Sequence, residues 1–226
     1  IYTGEDTLSL HDALPICQLD GHLSQGHCTQ TNQSTPVGAS TFLIPTAANA
    51  AFDTGGNTGG TTSFVLVNYN STTGAGTISN WLFTPVVNVQ NGDVVTFYTR
   101  KGGDGSGTVY PDNLQLRMST NGAFTTDPSG GAAGLGDYTN LLVEVNAGLT
   151  TTDYPFTWTQ YSYTVTGLTG LTDVKFAFRY YVTSGGPSGD NSDIIAIDDF
   201  SVDRPVASTQ DFFASNFSIQ PNPVND

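Results

Sequence analysis

The stretch Val174-Lys175-Phe176-Ala177-Phe178-Arg179-Tyr180-Tyr181-Val182 decides the fold class of this sequence. Every second residue is large and apolar, and the residues between them are mostly polar. Because successive side chains of a β-strand point to opposite faces of a sheet, this period predicts a strand with a core on one face. The same alternation recurs at residues 114–119 and 161–166.

Five further runs have the composition of strands. They lie at residues 63–69, 78–89, 94–99, 141–145 and 194–202. Turn-forming pairs such as Asn91-Gly92 and Asn121-Gly122 separate the runs, and no long segment has the 3.6-residue period of a helix. Short strands joined by polar turns predict an all-β protein, an antiparallel β-sandwich of the jelly-roll type.

The charge balance argues against several classes of partner. The 226 residues include 6 Lys+Arg and 20 Asp+Glu, a formal net charge of −14. A nucleic-acid-binding protein needs cationic side chains to neutralise phosphates, so we expect no nucleic-acid partner and no affinity for anionic membranes. The sequence has no apolar run long enough to span a bilayer. The low charged fraction of 12% is typical of exported proteins rather than cytosolic enzymes.

The first sixteen residues differ in character from the rest of the sequence. They lack the basic start and the continuous apolar core of a secretory signal peptide. Thr7-Leu8-Ser9-Leu10-His11-Asp12-Ala13-Leu14-Pro15-Ile16 resembles, residue for residue, one reading frame of a common sequencing adapter. We therefore interpret residues 1–16 as an artefact and the rest as a gene fragment whose signal peptide was lost. A native N-terminal extension is the alternative.

Histidines and cysteines occur only near the N-terminus. The histidines are His11, His22 and His27, and the cysteines are Cys17 and Cys28. The cysteines could pair in an exported protein, whereas the wide Cys/His spacing is unlike that of most zinc sites. No hydrolase or nucleotide-binding motif is present, and a catalytic histidine would have to come from the edge of the domain. We therefore predict that the protein is not an enzyme.

Two adjacent acids interrupt an apolar strand at Asp198-Asp199. Alternation along the strand predicts that the two carboxylates point to opposite faces and do not bind one ion together. A carboxylate buried at Asp198 requires either a cation or hydrogen-bond donors, and the sequence leaves both alternatives open.

A calcium site is the metal hypothesis that follows. The first and last strands of a jelly roll are often neighbours, which would bring Asp20 close to Asp198, with oxygen atoms from Asp53 or Asn57 nearby. Calcium prefers such hard oxygen ligands, so the predicted metal ligands are Asp20, Asp53, Asn57 and Asp198. Other loop acids are common turn residues, and we favour that interpretation for them: Asp104, Asp112, Asp190 and Asp193.

Aromatic side chains offer a second type of binding surface, because their rings stack on the apolar faces of sugars. The candidates are Trp81, Trp158, Tyr69, Tyr110 and Tyr181. Trp81 lies within an apolar run, which favours a place in the core. The sequence does not identify the ligand.

Several motifs carry a family resemblance. Ile78-Ser79-Asn80-Trp81-Leu82-Phe83-Thr84-Pro85 resembles the ISNWLITP signature of choice-of-anchor J domains, which are relatives of the cleaved-adhesin domains. NGDVVTFYTR at residues 91–100 and YPDNLQLRMS at 110–119 resemble that family's NGDVLSFWTR and YPDRLEVRLS, and residues 176–180 and 185–198 continue the match in order. The resemblance covers residues 17–204 and implies a jelly-roll domain, often with bound calcium, but no particular activity. The match is weaker near the N-terminus.

The C-terminal segment resembles a different module. Residues 205–216 show no alternation and are interpreted as a linker. Residues 217–226, FSIQPNPVND, resemble the opening of the type A C-terminal sorting domain that the type IX secretion system recognises, truncated after its first residues. This resemblance implies a secreted or cell-surface protein of the Bacteroidota type, with the type IX secretion machinery as a partner.

Two functional hypotheses follow from these features. The first is a non-catalytic adhesion or ligand-binding module for a glycan or a protein. The alternative is a structural accessory domain of a larger secreted protease or glycosidase. They differ in whether aromatic side chains are exposed at a binding surface.

Overall fold

The computed structural model describes residues 28–205. The predicted artefact at residues 1–16, Asp20, Cys17 and the predicted sorting segment at 217–226 lie outside the described residues, as does most of the predicted linker. Within residues 28–205, no helix is long and apolar enough to cross a membrane.

Ten strands form two antiparallel sheets in this part of the chain. They are β1 (Thr29–Asn32), β2 (Thr35–Val37), β3 (Val65–Asn68), β4 (Thr72–Val89), β5 (Val94–Lys101), β6 (Leu114–Ser119), β7 (Asn140–Val145), β8 (Thr159–Thr164), β9 (Thr172–Gly185) and β10 (Ile194–Asp203). The first sheet has the order β1-β4-β9-β6-β7, with β2 also paired to β4, and the second has the order β3-β10-β5-β8.

The strand order is that of a jelly roll. From β3 to β10 the chain passes repeatedly between the two sheets. The last two strands return beside the first two of this series, because β9 pairs with β4 and β10 pairs with β3. This topology confirms the predicted antiparallel jelly-roll β-sandwich. The two short edge strands β1 and β2 were not predicted, because runs of three or four residues are too short to carry a periodic signal.

The core lies between the two sheets. Alternate side chains of β9 point into it, and Phe176, Phe178 and Tyr180 are completely buried. The second sheet contributes Phe97 from β5, whose ring meets that of Phe178 edge to face at 5.1 Å between centroids. The alternation that predicted the strand therefore also predicted which side chains fill the core.

The outer faces of both sheets are partly covered, contrary to the prediction for β9. Arg179 points away from the core, yet it is only 3% exposed. The long β6–β7 connection packs on this face through Tyr138, whose ring lies 5.0 Å from that of Phe83. The segment before β3 covers the other sheet through Phe52 and Phe64. The sequence does not reveal this, because the covering segments have no periodicity of their own.

Candidate functional site

The loops at one end of the sandwich enclose a groove. We call it the loop-end groove; it is formed by the β5–β6 and β9–β10 loops, the ends of the β3–β4 and β7–β8 connections, and the short turn at Ala50–Phe52. It consists of three adjoining cavities of about 310, 210 and 540 Å³. Asp193 lines the first two cavities, and Phe156 lines the last two.

Two exposed tyrosines border the first cavity. Tyr69 follows β3 and is 37% exposed, and Tyr110 precedes β6 and is 40% exposed. Asp193 lines the same cavity and is half-buried. Exposed rings beside a carboxylate provide stacking surfaces and a hydrogen-bond acceptor within one cavity. Of the five aromatic candidates, these two therefore lie at the groove.

The other three aromatic candidates do not border this cavity. Trp81 is completely buried, which confirms its predicted place in the core. Trp158 is half-buried against Phe64 and donates a hydrogen bond from Nε1 to the carbonyl of Gly55. The ring of Tyr181 stacks on the guanidinium of Arg179 at 3.9 Å.

A buried ion pair lies at the groove, where Lys101 lines the second cavity. Lys101 Nζ lies 2.9 Å from Asp112 Oδ2, and both side chains are at most 2% exposed. Asp112 Oδ1 accepts hydrogen bonds from the Tyr180 hydroxyl at 2.6 Å and from the Asp193 main-chain N–H at 2.9 Å. Lys101 also donates to the Tyr110 carbonyl. The pair thus ties together the two loops that carry Tyr110 and Asp193.

Sequence reasoning did not find this ion pair, although a signal for it existed. Val95, Phe97 and Thr99 alternate toward the core, and Lys101 continues the same alternation at the end of β5. A lysine on a core-facing position needs a buried anionic partner. The predicted strand ended at residue 99, so Lys101 was not included, and Asp112 was interpreted as a turn residue.

Burial and charge raise the pKa of Asp193. The largest cause is removal of the carboxyl group from water, followed by repulsion from Asp112, while Lys101 acts in the opposite direction. In the third cavity, hydrogen bonds from Ser106 lower the pKa of Asp104, which keeps this exposed carboxylate ionised. Carboxylates thus line the groove beside the cations Lys101 and Arg100.

The predicted metal ligands Asn57 and Asp198 are close together. Asp198 Oδ2 accepts hydrogen bonds from the main-chain N–H groups of Asn57 and Thr58, at 2.7 and 3.3 Å, and Oδ1 accepts one from Asp199 at 2.9 Å. Asp53 is exposed and lines the third cavity of the groove. Asp20 lies outside the described residues.

The prediction that Asp198 and Asp199 point to opposite faces is wrong. Asp199 has a φ of 47°, and the pairing of β10 with β5 shifts register after Asp198. This irregularity breaks the alternation, and both carboxylates bind the same loop. Asp199 accepts hydrogen bonds from Asn57 Nδ2 at 2.7 Å and from the Thr58 hydroxyl at 2.6 Å.

The described residues alone do not fit a calcium ion. All four carboxylate oxygens of Asp198 and Asp199 face N–H or O–H donors. No group of three or more Asp, Glu, His or Cys side chains in residues 28–205 is arranged to hold a metal. Calcium requires six to eight oxygen ligands, so the predicted site depends on Asp20.

Comparisons with known proteins place the chain in no family. No family model matches the sequence, and no curated protein matches it. Among solved structures, the K1 cleaved adhesin domain of Lys-gingipain from Porphyromonas gingivalis W83 is 19% identical, with a TM-score of 0.43 and coverage of 79% of this chain and 99% of that one. The K2 cleaved adhesin domain of Lys-gingipain is 14% identical, with a TM-score of 0.46 and coverage of 79% and 89%.

A carbohydrate-binding module is also similar in structure. TmCBM61, solved in complex with β-1,4-galactotriose, is 16% identical, with a TM-score of 0.42 and coverage of 79% of this chain and 88% of that one. At such identities and TM-scores, none of these similarities assigns a function to the chain.

Proposed function

We propose that this protein is a non-catalytic secreted or cell-surface module that binds a glycan in the loop-end groove. The observation that carries the proposal is the exposure of Tyr69 and Tyr110 at a cavity that Asp193 also lines. Rings in this position stack on sugar faces, and a carboxylate accepts hydrogen bonds from sugar hydroxyls. The absence of catalytic motifs from the sequence supports binding rather than turnover.

The proposed route to the cell surface is the type IX secretion system. It rests on the resemblance of residues 217–226 to a sorting domain. The alternative, a structural accessory domain of a larger secreted protease or glycosidase, requires no exposed aromatic groove, so Tyr69 and Tyr110 favour the binding module.

Substitution of the groove tyrosines tests the proposed function. We expect Tyr69→Ala and Tyr110→Ala each to weaken binding of a neutral oligosaccharide about tenfold, because each loses a stacking surface worth roughly 1.4 kcal/mol. An array of neutral oligosaccharides would identify the probe, and calorimetry would measure its dissociation constant.

Phe124→Ala is the matched control for this experiment. Phe124 is 91% exposed and lies at the opposite end of the sandwich, after β6. Its removal is expected to leave binding unchanged. The proposal fails if neither tyrosine variant weakens binding, or if the control weakens it equally.

We also propose a calcium ion bound by Asp20, Asp53, Asn57 and Asp198. Support comes from the repulsion between Asp198 and Asp199, which a nearby cation would relieve. Calcium is expected to raise the thermal midpoint of the parent relative to excess chelator, because it binds only the folded state. Asp20→Asn should remove that shift. A parent that melts identically in calcium and in chelator would leave Asp198 as a hydrogen-bonded structural acid.

A further inference from the structure

Most of the cationic side chains of this protein are buried. The sequence has six Lys and Arg residues, all of them within the described part of the chain: Arg100, Lys101, Arg117, Lys175, Arg179 and Arg204. Arg100, Lys101, Arg117 and Arg179 are 8% exposed or less. Lys175 lies beside Asp127, and Arg204 is paired with Asp93. The protein thus presents few cations to solvent.

The two cations that line the loop-end groove are already engaged by the protein itself. Arg100 donates to the Thr54 hydroxyl and to the carbonyls of Lys101 and Gly103, and its guanidinium lies over the Phe52 ring. The Lys101 ammonium is paired with Asp112. Neither cation is therefore available to neutralise an acidic ligand.

Carboxylates, in contrast, line all three cavities of the groove. Asp193 lines the first and second cavities, and Asp53 and Asp104 line the third. Asp53 and Asp104 are exposed, and Asp193 is half-buried. Aromatic rings lie along the same path, with Tyr69 and Tyr110 in the first cavity and Phe156 in the other two.

We infer that the loop-end groove selects glycans that carry protonated amino groups and excludes acidic glycans. An ammonium group gains both from the carboxylates and from the faces of the aromatic rings. An acidic sugar would meet like charge with no accessible cation to offset it. A bound ammonium would also offset the repulsion from Asp112 that helps to raise the pKa of Asp193. This inference rests on the proposed function, because it specifies the ligand of the same groove.

Three oligosaccharide probes of equal length test the inference. They are a glucosamine tetramer, its N-acetylated counterpart and a galacturonate tetramer, measured by calorimetry at pH 6. We expect the glucosamine tetramer to bind at least tenfold more tightly than the N-acetylated form, and the galacturonate tetramer not to bind. The preference should diminish as the salt concentration rises.

Two substitutions show whether the groove carries the preference. Asp193→Asn is expected to remove most of it, because the side chain keeps its size but loses its charge. Asp173→Asn, which removes a charge at the opposite end of the sandwich, should preserve it. An equal loss in both variants would mean that net charge alone attracts the amine, which overturns the inference.

The outcomes separate this inference from the proposed function. If both glucosamine forms bind equally and depend on Tyr69 and Tyr110, the proposed function holds and the amine preference is wrong. If none of the three probes nor any neutral oligosaccharide binds, both are wrong. A lysine tetrapeptide that binds through Asp193 more tightly than the glucosamine tetramer would overturn the assignment of a sugar.

Discussion

Asp112→Asn is expected to lower the free energy of unfolding by about 3–5 kcal/mol, because it leaves the Lys101 ammonium buried without its counter-ion. Asp112 is completely buried and holds the Tyr180 hydroxyl, the Asp193 N–H and Lys101 together. The loss is measured by chemical denaturation at pH 7, with parent and variant compared at constant ionic strength.

A double-mutant cycle separates the ion pair from other effects of the substitution. Lys101→Met is expected to be destabilising alone, and the Lys101→Met/Asp112→Asn double variant should lose less stability than the sum of the single losses. Strictly additive losses would contradict the ion pair. The exposed acid Asp104 offers a control, since Asp104→Asn should leave the free energy of unfolding nearly unchanged.

Acidification is expected to stabilise the parent relative to Asp198→Asn by about 2 kcal/mol between pH 7 and pH 4. Burial, followed by repulsion from Asp199, raises the pKa of Asp198 to about 6 in the folded protein. The unfolded carboxyl has a pKa of about 3.9. Between these two pH values the folded state binds the proton more tightly than the unfolded state does. Protonation of Asp198 therefore raises the free energy of unfolding as the pH falls, and this contribution disappears as the pH rises through 6.

The difference between the two proteins isolates Asp198 from the other acids. Burial raises the pKa of Asp93, but hydrogen bonds and the charge of Arg204 outweigh it and lower that pKa, and hydrogen bonds lower the pKa of Asp137. Both shifts reduce the free energy of unfolding at low pH, but they are the same in parent and variant. Denaturation curves in chelator at several pH values measure the difference, and Asp173→Asn serves as the control. A difference that stays constant from pH 7 to pH 4 would show that Asp198 titrates normally.

These two predictions concern buried residues that hold the loops around the groove in place. The Lys101–Asp112 pair fixes the loops that carry Tyr110 and Asp193. Asp198 and Asp199 hold residues 57 and 58, close in sequence to Asp53 and Thr54 in the wall of the third cavity. The buried acids that hold these loops therefore also position the proposed ligand-binding surface.

The sequence alone determined the fold class and the core. Alternation in β6 and β9 predicted strands and assigned Leu116 and Phe178 to the interior, because a period of two puts every second side chain on the core face. It also predicted the burial of Trp81 from its apolar surroundings. Composition indicated a protein with few cations, although not where those cations lie.

Only the tertiary structure decided which residues form the groove and how the acids are used. Tyr69, Tyr110 and Asp193 come from three separate loops, and the order of strands in the two sheets brings them together. The positive φ of Asp199 interrupts a pattern that the sequence presents as continuous, so both acids turn to one loop. Periodicity reports the face of a strand on which a residue lies, whereas contacts between loops depend on the path of the whole chain.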